Sequence, residues 1–540
     1  MTEKENTQFI APKRIVWRSG DFPAEALLGE QPGAFQTLWK PPVFTLPPGG
    51  GVLLDFGEEL QGGIRIVLGR CSPGGFRGER PWQVRLRFGE SVSEAMHEPV
   101  NHHAMHDMTV PLAPMGESRY GRTGFRFLRL DNPEDSVALN IMDISAARLL
   151  PPAVPAGGFH SSDGLLDEIF RCCRRTVDNC ICPLIVDGAK RDRLVWMGDL
   201  YGEIRALCAF YGDHPAIRPT MEFMLDEAGE SGIFNRMQPY SPYFFLALDL
   251  YLTWCDGEKW ASEIYSASAA VADRMLAEWE NSPGELLARG IVDWAEKSES
   301  GLVPGGYPPL LAAGTAACRR IAIRMGDGAL ARRCEEVYED IRRRFVPVGA
   351  VKSAGAWAAY AGLLSPEKVC REILDREPEE GLSTFHLDTM LTVRSLAGDT
   401  GGAAALLKRY YGGMISLGAT TFWEQFDLAW LEHAGRIDAM PEEGMTDVHR
   451  DRGRGCFAGL RHSLCHGWGA APAAWMLGHL LGVRPAAPGF SEAEIVENVP
   501  AAPAELDGSC PTPFGAIEIS RRGGRIVRLR VPEPIGYRMV

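Results

Sequence analysis

The stretch Leu184-Ile-Val-Asp-Gly-Ala-Lys-Arg-Asp-Arg-Leu-Val-Trp-Met-Gly-Asp-Leu-Tyr201 places three acidic and three basic side chains between two segments with a helical pattern. Before it, Asp163 precedes apolar residues that recur every three or four positions, which predicts a capped helix. Residues 200–211 repeat this period. We predict a loop between two packed helices; a solvated surface turn is the alternative. Near a packed surface, burial raises a carboxyl pKa and an adjacent arginine lowers it, so neighbouring carboxylates can take different roles.

The helical period continues from Ser162 to about Gly482. A region of about 320 residues holds ten to twelve helices of ordinary length with their connections. Such a number favours a ring of paired helices. No repeat of fixed length is visible in the sequence, so an open solenoid is the less favoured alternative.

Strand patterns flank the helical region on both sides. Up to about Pro155, short alternating runs are separated by turns rich in glycine and proline, which predicts a β-sandwich. Residues 151–158 indicate a linker, because prolines and glycines extend neither strand nor helix. After Pro488 the strand pattern returns. We therefore predict three domains: a β-sandwich at residues 1–155, a helical domain at 156–484 and a small β domain at 485–540.

Composition excludes several classes of partner. The 540 residues carry 56 lysines and arginines against 70 aspartates and glutamates, so the net charge is −14. This balance argues against nucleic acid and anionic membranes, and it favours a neutral small molecule or glycan. The chain has no GxGxxG and no phosphate-binding GxxxxGK pattern, so we predict no nucleotide cofactor.

The 13 cysteines favour reduced core thiols over a disulfide framework. Cys180 and Cys182 alone are a weak zinc signal, so no metal is assigned. The first residues lack the apolar core of a secretory signal, and no later run approaches eighteen apolar residues. We therefore predict a cytoplasmic protein with no membrane partner and leave the oligomeric state open.

A second candidate stretch is residues 417–427, where Glu424 directly follows Trp423. A carboxylate beside aromatic rings is typical of sugar sites, because rings stack on C–H faces while acids bind hydroxyl groups. The alternative is a glutamate at a helix start that interacts with the helix dipole.

These two stretches resemble a known family. Residues 187–199 match, in spacing, the motif Asp-x3-Arg-Glu-Arg-x2-Trp-x-Gly-Asp of the bacterial and fungal α-L-rhamnosidases of glycoside hydrolase family 78. The resemblance covers about residues 50 to 535 and implies an N-terminal β-sandwich, an (α/α)6 barrel and a C-terminal β domain. Further pieces of the chain occur in the family's order, namely residues 159–163, Asp293-Trp294, residues 418–424 and His466.

The resemblance implies an inverting glycoside hydrolase that needs no organic cofactor. In such an enzyme one carboxylic acid protonates the glycosidic oxygen, and a carboxylate roughly 6.5–9.5 Å away activates water on the opposite face. The resemblance implies that Asp192, in the motif at residues 187–199, is the general acid. It implies that Glu424, in the piece at residues 418–424, is the general base. The substrate-binding positions implied in the same way are Asp187, Arg191, Trp196, Asp199, Asp293, Trp294, Trp423 and His466.

The chain departs from the family motif at the acid. Asp192 stands where the family has glutamate, and a displacement of about 1 Å can cost about a hundredfold in rate. Gly188-Ala189 also replace the usual Cys-Pro. These departures indicate a divergent branch that acts on rhamnose or a related sugar. The alternatives are a hydrolase or lyase for another deoxy sugar or a uronic acid, and a carbohydrate-binding protein without activity.

Two further features of the sequence are relevant to the predicted sugar site. His102, His103 and His106 cluster in the first domain, but strand-rich surroundings speak against a helical metal site. For the segment that carries these histidines we favour a surface or domain-interface loop. The alternative is that it lies at the edge of the substrate cleft. The turn-rich segment at residues 239–245 contains Tyr240, Tyr243, Phe244 and Phe245, which are candidate platforms for a sugar ring.

Overall fold

The computed structural model describes residues 7–28, 44–71, 81–99, 106–292, 302–347, 349, 351–453 and 457–540. Within these ranges the chain forms a strand-rich N-terminal region, a helical middle and a strand-rich C-terminal region. This order agrees with the pattern predicted from the sequence. None of the helices in these ranges is both long and apolar enough to cross a membrane.

The N-terminal strands form an antiparallel sheet. They are β1 (Thr7–Ile10), β2 (Arg14–Ser19), β3 (Phe44–Leu46), β4 (Gly51–Leu68), β5 (Trp82–Gly89), β6 (His106–Leu112), β7 (Glu117–Asp131) and β8 (Leu139–Leu149). In the described residues the order is β1-β8-β4-β7-β5-β6, with β2 beside β4 and β3 beside β8. The short helix α1 (Val92–Met96) follows β5.

The long strand β4 joins two parts of this sheet. Its first residues pair with β2 and with the end of β7. After a register shift between Asp55 and Leu60, the remainder pairs with β8 and the start of β7. Leu54 and Ile66, one from each part of the strand, enter the same buried core. The described strands thus form one continuous sheet around a shared core, and a two-layer sandwich remains a prediction.

The middle region is built from helices, as predicted. They are α2 (Gly164–Asn179), α3 (Met197–Tyr211), α4 (Ile217–Ala228), α5 (Ser241–Trp254), α6 (Glu258–Asn281), α7 (Pro283–Ala288), α8 (Tyr307–Arg324), α9 (Gly328–Arg344), α10 (Lys352–Tyr360), α11 (Pro366–Val369), α12 (Leu387–Leu396), α13 (Thr400–Ser416), α14 (Val448–Asp451) and α15 (Pro472–Trp475). Short π-helical segments follow α11 and α15, at Cys370–Leu374 and Met476–Leu481. Single 3-10 turns occur at Glu25–Leu28, Gly229–Ser231, Phe234–Arg236, Gln238–Tyr240, Leu428–Leu431, Gly459–Arg461, Gly467–Ala470 and Pro488–Phe490.

The helices on either side of the charged loop form for the predicted reasons. The Asp163 carboxylate caps α2 by accepting hydrogen bonds from the backbone N–H groups of Leu165 (3.1 Å) and Leu166 (3.3 Å). Apolar side chains of α2 and α3, such as Ile169 and Leu200, share a buried core. Contacts then join α3 to α5, α5 to α8 and α8 to α9. Closure of these helices into an (α/α)6 barrel remains a prediction.

The remaining strands are short. They are β9 (Gly158–Ser161), β10 (Ile291–Val292), β11 (Leu302–Val303), β12 (Ala434–Gly435), β13 (Thr446–Asp447), β14 (Val483–Pro485), β15 (Glu492–Ile495), β16 (Glu505–Thr512), β17 (Gly515–Arg522), β18 (Arg525–Arg530) and β19 (Gly536–Met539). Strands β16 to β18 form an antiparallel sheet whose edge is β9, while β14, β15 and β19 form a second sheet. β9 therefore precedes α2 in the chain but pairs with the C-terminal region, and the predicted boundaries at residues 155 and 484 remain predictions.

The cysteines lie where core thiols are expected. Ten of the twelve cysteines in the described ranges are buried. Cys180 is buried and Cys182 is half-buried, and the Cys182 sulfur accepts a hydrogen bond from Arg193 at 3.1 Å.

Candidate active site

The loop between α2 and α3 is held in shape by one of its own side chains. The buried Asp187 carboxylate accepts hydrogen bonds from the backbone N–H groups of Asp192 (3.0 Å) and Leu194 (2.9 Å). Gly188 permits the tight turn, because a Cβ at this position would lie 2.2 Å from the carbonyl oxygen of Arg191. Local contacts thus close the loop, and both Arg191 and Asp192 line a pocket beside it.

The pocket is small, with a volume of about 100 Å³. It brings the charged loop together with segments far along the chain. Its lining residues are Asp187, Arg191, Asp192, Trp196, Asp199, Met237, Tyr240, Glu424, His466 and Trp468. A larger cavity of about 550 Å³ lies between the helical region and the C-terminal sheets, but no aspartate or glutamate is among its described lining residues. The paired acids, rather than volume, therefore identify the smaller pocket as the candidate active site.

The Arg191 guanidinium bridges the two carboxyl groups that the sequence singled out. One Nη donates to Asp192 Oδ1 at 3.2 Å, and the other donates to Glu424 Oε2. Its Nε donates to the carbonyl oxygen of Arg461 at 2.6 Å. Because a single planar cation contacts both groups, Asp192 and Glu424 lie at the same pocket although they are distant in the sequence.

Glu424 is buried against the segment at residues 463–466. Its backbone N–H donates to the carbonyl oxygen of Ser463 at 3.0 Å, and its Oε2 accepts from the Ser463 N–H at 3.2 Å. Burial raises the pKa of Glu424 to about 7, although the Arg191 charge and the Ser463 N–H act in the opposite direction. A carboxyl group with a pKa near neutrality suits a general base.

Asp192 has a different environment. Its side chain is 33% exposed, whereas that of Glu424 is 8% exposed. Apart from Arg191, its nearest cationic neighbour is the Arg461 guanidinium, 3.7 Å from Oδ1. Asp192 therefore lies at the open side of the pocket and Glu424 at its closed side. This is the kind of difference that separates the roles of two carboxyl groups.

Two further acids and a histidine complete the closed side. Burial raises the pKa of Asp187 to about 6. Burial, together with the charges of Asp187 and Glu424, raises the pKa of Asp199 well above its usual range. His466 Nε2 lies 3.7 Å from Glu424 Oε1, and its Nδ1 lies 3.8 Å from Asp199 Oδ1. Burial and the Arg191 charge lower the pKa of His466, so the imidazole is neutral and can exchange hydrogen bonds with hydroxyl groups.

Most of the residues predicted from the sequence meet at this pocket. The seven that line it are Asp187, Arg191, Asp192, Trp196, Asp199, Glu424 and His466. Trp423 requires a correction, because its ring does not line the pocket. It is 1% exposed and packs edge-on against Phe426 and His462, so it fills the core rather than facing a sugar. Asp293 and Trp294 lie outside the described residues.

The pocket also contains two side chains that no sequence motif indicated. Met237 and Trp468 line it, and the ring of Trp468 packs against His466 with 4.1 Å between ring centroids. Trp468 follows His466 by two positions, so its closeness to a motif residue was the available signal. Met237 carries no chemical signal in the sequence. Of the four predicted platform residues, Tyr240 lines the pocket and contacts Trp196 edge-on, with 6.4 Å between ring centroids. Tyr243, Phe244 and Phe245 do not line it, because they lie within α5 and are buried.

A second charged cluster lies outside the pocket, between the N-terminal sheet and the charged loop. Glu90, Glu94 and His449 are buried and near enough to one another to hold a metal ion. However, the Lys190 ammonium already lies 3.0 Å from Glu90 Oε2 and 3.0 Å from Glu94 Oε1. The lysine therefore supplies the cation of this cluster. Of the predicted histidine cluster, His106 lies in β6, and His102 and His103 fall outside the described residues.

The fold and the acidic pocket define a class of protein, which comparison with known sequences identifies. Residues 155–305 match the family model of the bacterial alpha-L-rhamnosidase 6 hairpin glycosidase domain. The matched segment contains α2, the charged loop and α3, and the match indicates a glycoside hydrolase. More particularly, the chain is similar to the α-L-rhamnosidases of glycoside hydrolase family 78. No curated protein is similar enough in sequence to match.

Solved rhamnosidase structures share the fold. The family 78 rhamnosidase of Bacillus sp. GL1 superposes with a TM-score of 0.71 at 19% identity, over 91% of this chain and 53% of that chain. The rhamnosidase of Klebsiella oxytoca, solved with rhamnose bound, gives 0.67 at 21% identity, over 87% of this chain and 95% of that chain. The Streptomyces avermitilis α-L-rhamnosidase complexed with L-rhamnose gives a TM-score of 0.66 at 16% identity, over 89% of this chain and 48% of that chain. This chain thus spans about half the length of the Bacillus and Streptomyces proteins and nearly all of the Klebsiella protein.

Proposed function

We propose that the protein is an inverting glycoside hydrolase that releases a terminal α-L-rhamnose or a related sugar from small glycosides or oligosaccharides. The observation that carries this proposal is the Arg191 guanidinium, which contacts an exposed carboxyl group, Asp192, and a buried one, Glu424. Two carboxyl groups in unlike environments at one pocket are what acid and base catalysis at a glycosidic bond requires.

In the proposed reaction, Asp192 donates its proton to the glycosidic oxygen as the bond from that oxygen to the anomeric carbon breaks. Its position at the open side suits this role, because the leaving group must point toward solvent. A water molecule attacks the anomeric carbon from the opposite face, and Glu424 takes the proton that the water loses. The sugar leaves with inverted configuration, and proton exchange with solvent restores both carboxyl groups.

Charge and size support a terminal, neutral sugar. The pocket lining contains four carboxyl side chains and one arginine, and that arginine is already bound to Asp192 and Glu424. A uronic acid would bring a further carboxylate into this field, so it is disfavoured. The volume of about 100 Å³ is far below the roughly 300–1,000 Å³ of pockets for drug-sized ligands, which favours one small sugar unit. Rhamnose in two of the similar structures fits this class.

A panel of p-nitrophenyl glycosides tests the proposal. We expect release of nitrophenol from the α-L-rhamnoside or a related deoxy sugar, with no release from uronides. Proton NMR during early turnover should show the inverted anomer of the free sugar. Turnover of a uronide, or a product with retained configuration, would contradict the proposed substrate class or mechanism. Sugar binding without hydrolysis over long incubation would favour a carbohydrate-binding protein. Cytoplasmic action on such glycosides remains part of the proposal, to be checked by cell fractionation.

A further inference from the structure

The N-terminal domain contacts the back of the active-site loop through one buried lysine. Lys190 precedes the arginine that bridges the two catalytic carboxyl groups, and its side chain is 1% exposed. Its ammonium lies 3.0 Å from Glu90 Oε2 and 3.0 Å from Glu94 Oε1. It also donates to the carbonyl oxygens of Leu460 (3.2 Å) and His462 (2.9 Å). The loop that carries the general acid is thus tied to the N-terminal domain by a fully partnered cation.

Glu90 extends this contact to the segment behind the general base. Its Oε2 accepts a hydrogen bond from the Leu464 N–H at 2.7 Å, and its Oε1 accepts from the Ser463 hydroxyl at 3.4 Å. Ser463 in turn donates its backbone N–H to Glu424 Oε2 at 3.2 Å. A single carboxylate therefore contacts both the loop that holds Asp192 and the residue that holds Glu424.

The backbone provides an independent link at the same place. The N–H of Gly124, in β7, donates to the carbonyl oxygen of Ala189 at 2.8 Å, and the Ala189 N–H donates to the carbonyl oxygen of Cys465 at 3.1 Å. The N-terminal sheet, the acid loop and the 463–466 segment thus form one layered contact. A charge pair buried in such a layer restricts how far its partners can move, because breaking it leaves an unpaired buried charge.

We propose that Glu90 and Lys190 are positioning residues that set the separation between the Asp192 and Glu424 carboxyl groups. This inference rests on the proposed function. An inverting enzyme needs its two carboxyl groups about 6.5–9.5 Å apart, and a misplacement of about 1 Å can cost about a hundredfold in rate. The shorter acid of this chain makes that distance more critical, since Asp192 reaches one methylene less far than the family's glutamate.

The test compares Lys190→Met, Glu90→Gln and the double variant that carries both changes. Lys190→Met should lower kcat about a hundredfold while KM changes less than about twofold. Glu90→Gln should lower kcat less, about tenfold, because Glu94 still binds the lysine and the new amide oxygen can still accept from Leu464. The double variant removes one charge of each sign, so its thermal stability should recover relative to Lys190→Met, whereas its kcat should stay at least tenfold low.

The matched control is the Arg65–Asp143 pair, a 2.9 Å ion pair buried within the N-terminal domain. Arg65→Met combined with Asp143→Asn should lower stability and leave kcat near the wild-type value. Recovery of wild-type kcat in the Lys190/Glu90 double variant would overturn the proposal, because it would assign the pair a purely structural role. An equal loss of kcat in the control would overturn it as well.

Amide hydrogen exchange tests the positioning without reference to activity. Lys190→Met should speed exchange in residues 188–193 and in 463–466 together, while the Arg65/Asp143 control should leave both segments unchanged. Wild-type exchange in both segments of Lys190→Met would contradict the positioning role. If the wild-type protein hydrolyses no glycoside, the proposed function fails, yet the exchange experiment still decides whether this pair holds the two segments together.

Discussion

Two clusters of carboxyl groups surround neighbouring cations, and they differ in what surrounds them. Lys190 is sealed behind the loop, and its ammonium contacts two carboxylates and two carbonyl oxygens. Arg191 faces the pocket, where one of its two carboxylate partners is 33% exposed. The sealed cluster satisfies its cation within the protein, whereas the open cluster keeps acidic oxygens available to a ligand. Solvent access is therefore the property that distinguishes the proposed positioning cluster from the proposed reactive one.

Burial disfavours ionised carboxyl groups in both clusters, and in the sealed cluster it raises the pKa of Glu94 to about 7. Burial raises the pKa of Asp187 to about 6 from its usual 3.8, and the ionised form is therefore disfavoured by about 3 kcal/mol. Asp199 and Glu424 are displaced in the same direction. Such an arrangement suits a functional site, because stability is reduced where reactivity is needed. The following predictions test this contrast, from the largest effect to the smallest.

Removing the buried base should have the largest effect. Glu424→Gln should lower kcat by about 10³-fold or more, because the amide cannot take a proton from water. Sugar affinity, measured by calorimetry, should change little because the side chain keeps its size. Glu432→Gln is the control, since Glu432 is an exposed carboxylate on the same segment. Near-normal turnover by Glu424→Gln would exclude it as the base.

Removing the exposed acid should have an effect that depends on the leaving group. Asp192→Asn should slow cleavage of an unactivated oligosaccharide about a hundredfold, because no group protonates the departing oxygen. Cleavage of a nitrophenyl glycoside should fall less than about tenfold, since nitrophenolate leaves without a proton. Parallel kinetics with both substrates measure the difference. Equal losses on both would show that Asp192 acts in another way.

The pH profile should report the buried base. Glu424 must be ionised to act as the proposed base, and its pKa is about 7. With a nitrophenyl glycoside, whose leaving group needs no proton from Asp192, kcat/KM should therefore fall as the pH drops through 7. At pH 5 the rate should be about a hundredfold below its plateau. In Arg191→Gln this acidic limb should move to higher pH, because the arginine charge opposes the effect of burial on Glu424. If the acidic limb of the pH profile has the same midpoint in Arg191→Gln as in the wild type, the Arg191 charge does not influence the pKa of Glu424.

Changes in thermal stability should be the smallest effect. They should have opposite signs at Asp199 and at Asp163. The raised pKa of Asp199 means that its contribution to stability is present below its usual pKa and is lost as the pH rises through the raised value. Asp199→Asn should therefore raise Tm relative to wild type at pH 8 by about 1–2 °C, with a smaller gain at pH 5. Differential scanning calorimetry at both pH values measures this.

Asp163 is the matched control, because capping N–H groups and Lys408 lower its pKa. Its contribution is present above the usual pKa and is lost as the pH falls through the lowered value. Asp163→Asn should thus lower Tm at pH 7 and have a smaller effect at pH 3. A change in Tm of the same sign in both variants would contradict the expected difference between a helix-capping acid and a buried acid.

Several parts of the fold could be predicted because their causes are local. Asp163 caps α2 through its own next residues, and the apolar period of α2 and α3 identifies the faces that pack. The prediction that Trp423 contacts the sugar was wrong for a physical reason as well. Its position next to Glu424 in the sequence does not determine where its ring points in an irregular segment. Met237 was missed because an apolar side chain carries no sign of the pocket it lines.

The sequence alone determined the order of strand and helix regions, the acidic loop and the two candidate carboxyl groups, since these depend on period, charge and motif spacing. Tertiary structure alone decided which cation faces the pocket. Lys190 and Arg191 are adjacent and equally charged, and only packing of the loop against the N-terminal sheet buries one with Glu90 and turns the other toward Glu424. Solvent access is a property of the assembled layers, and no local pattern encodes it.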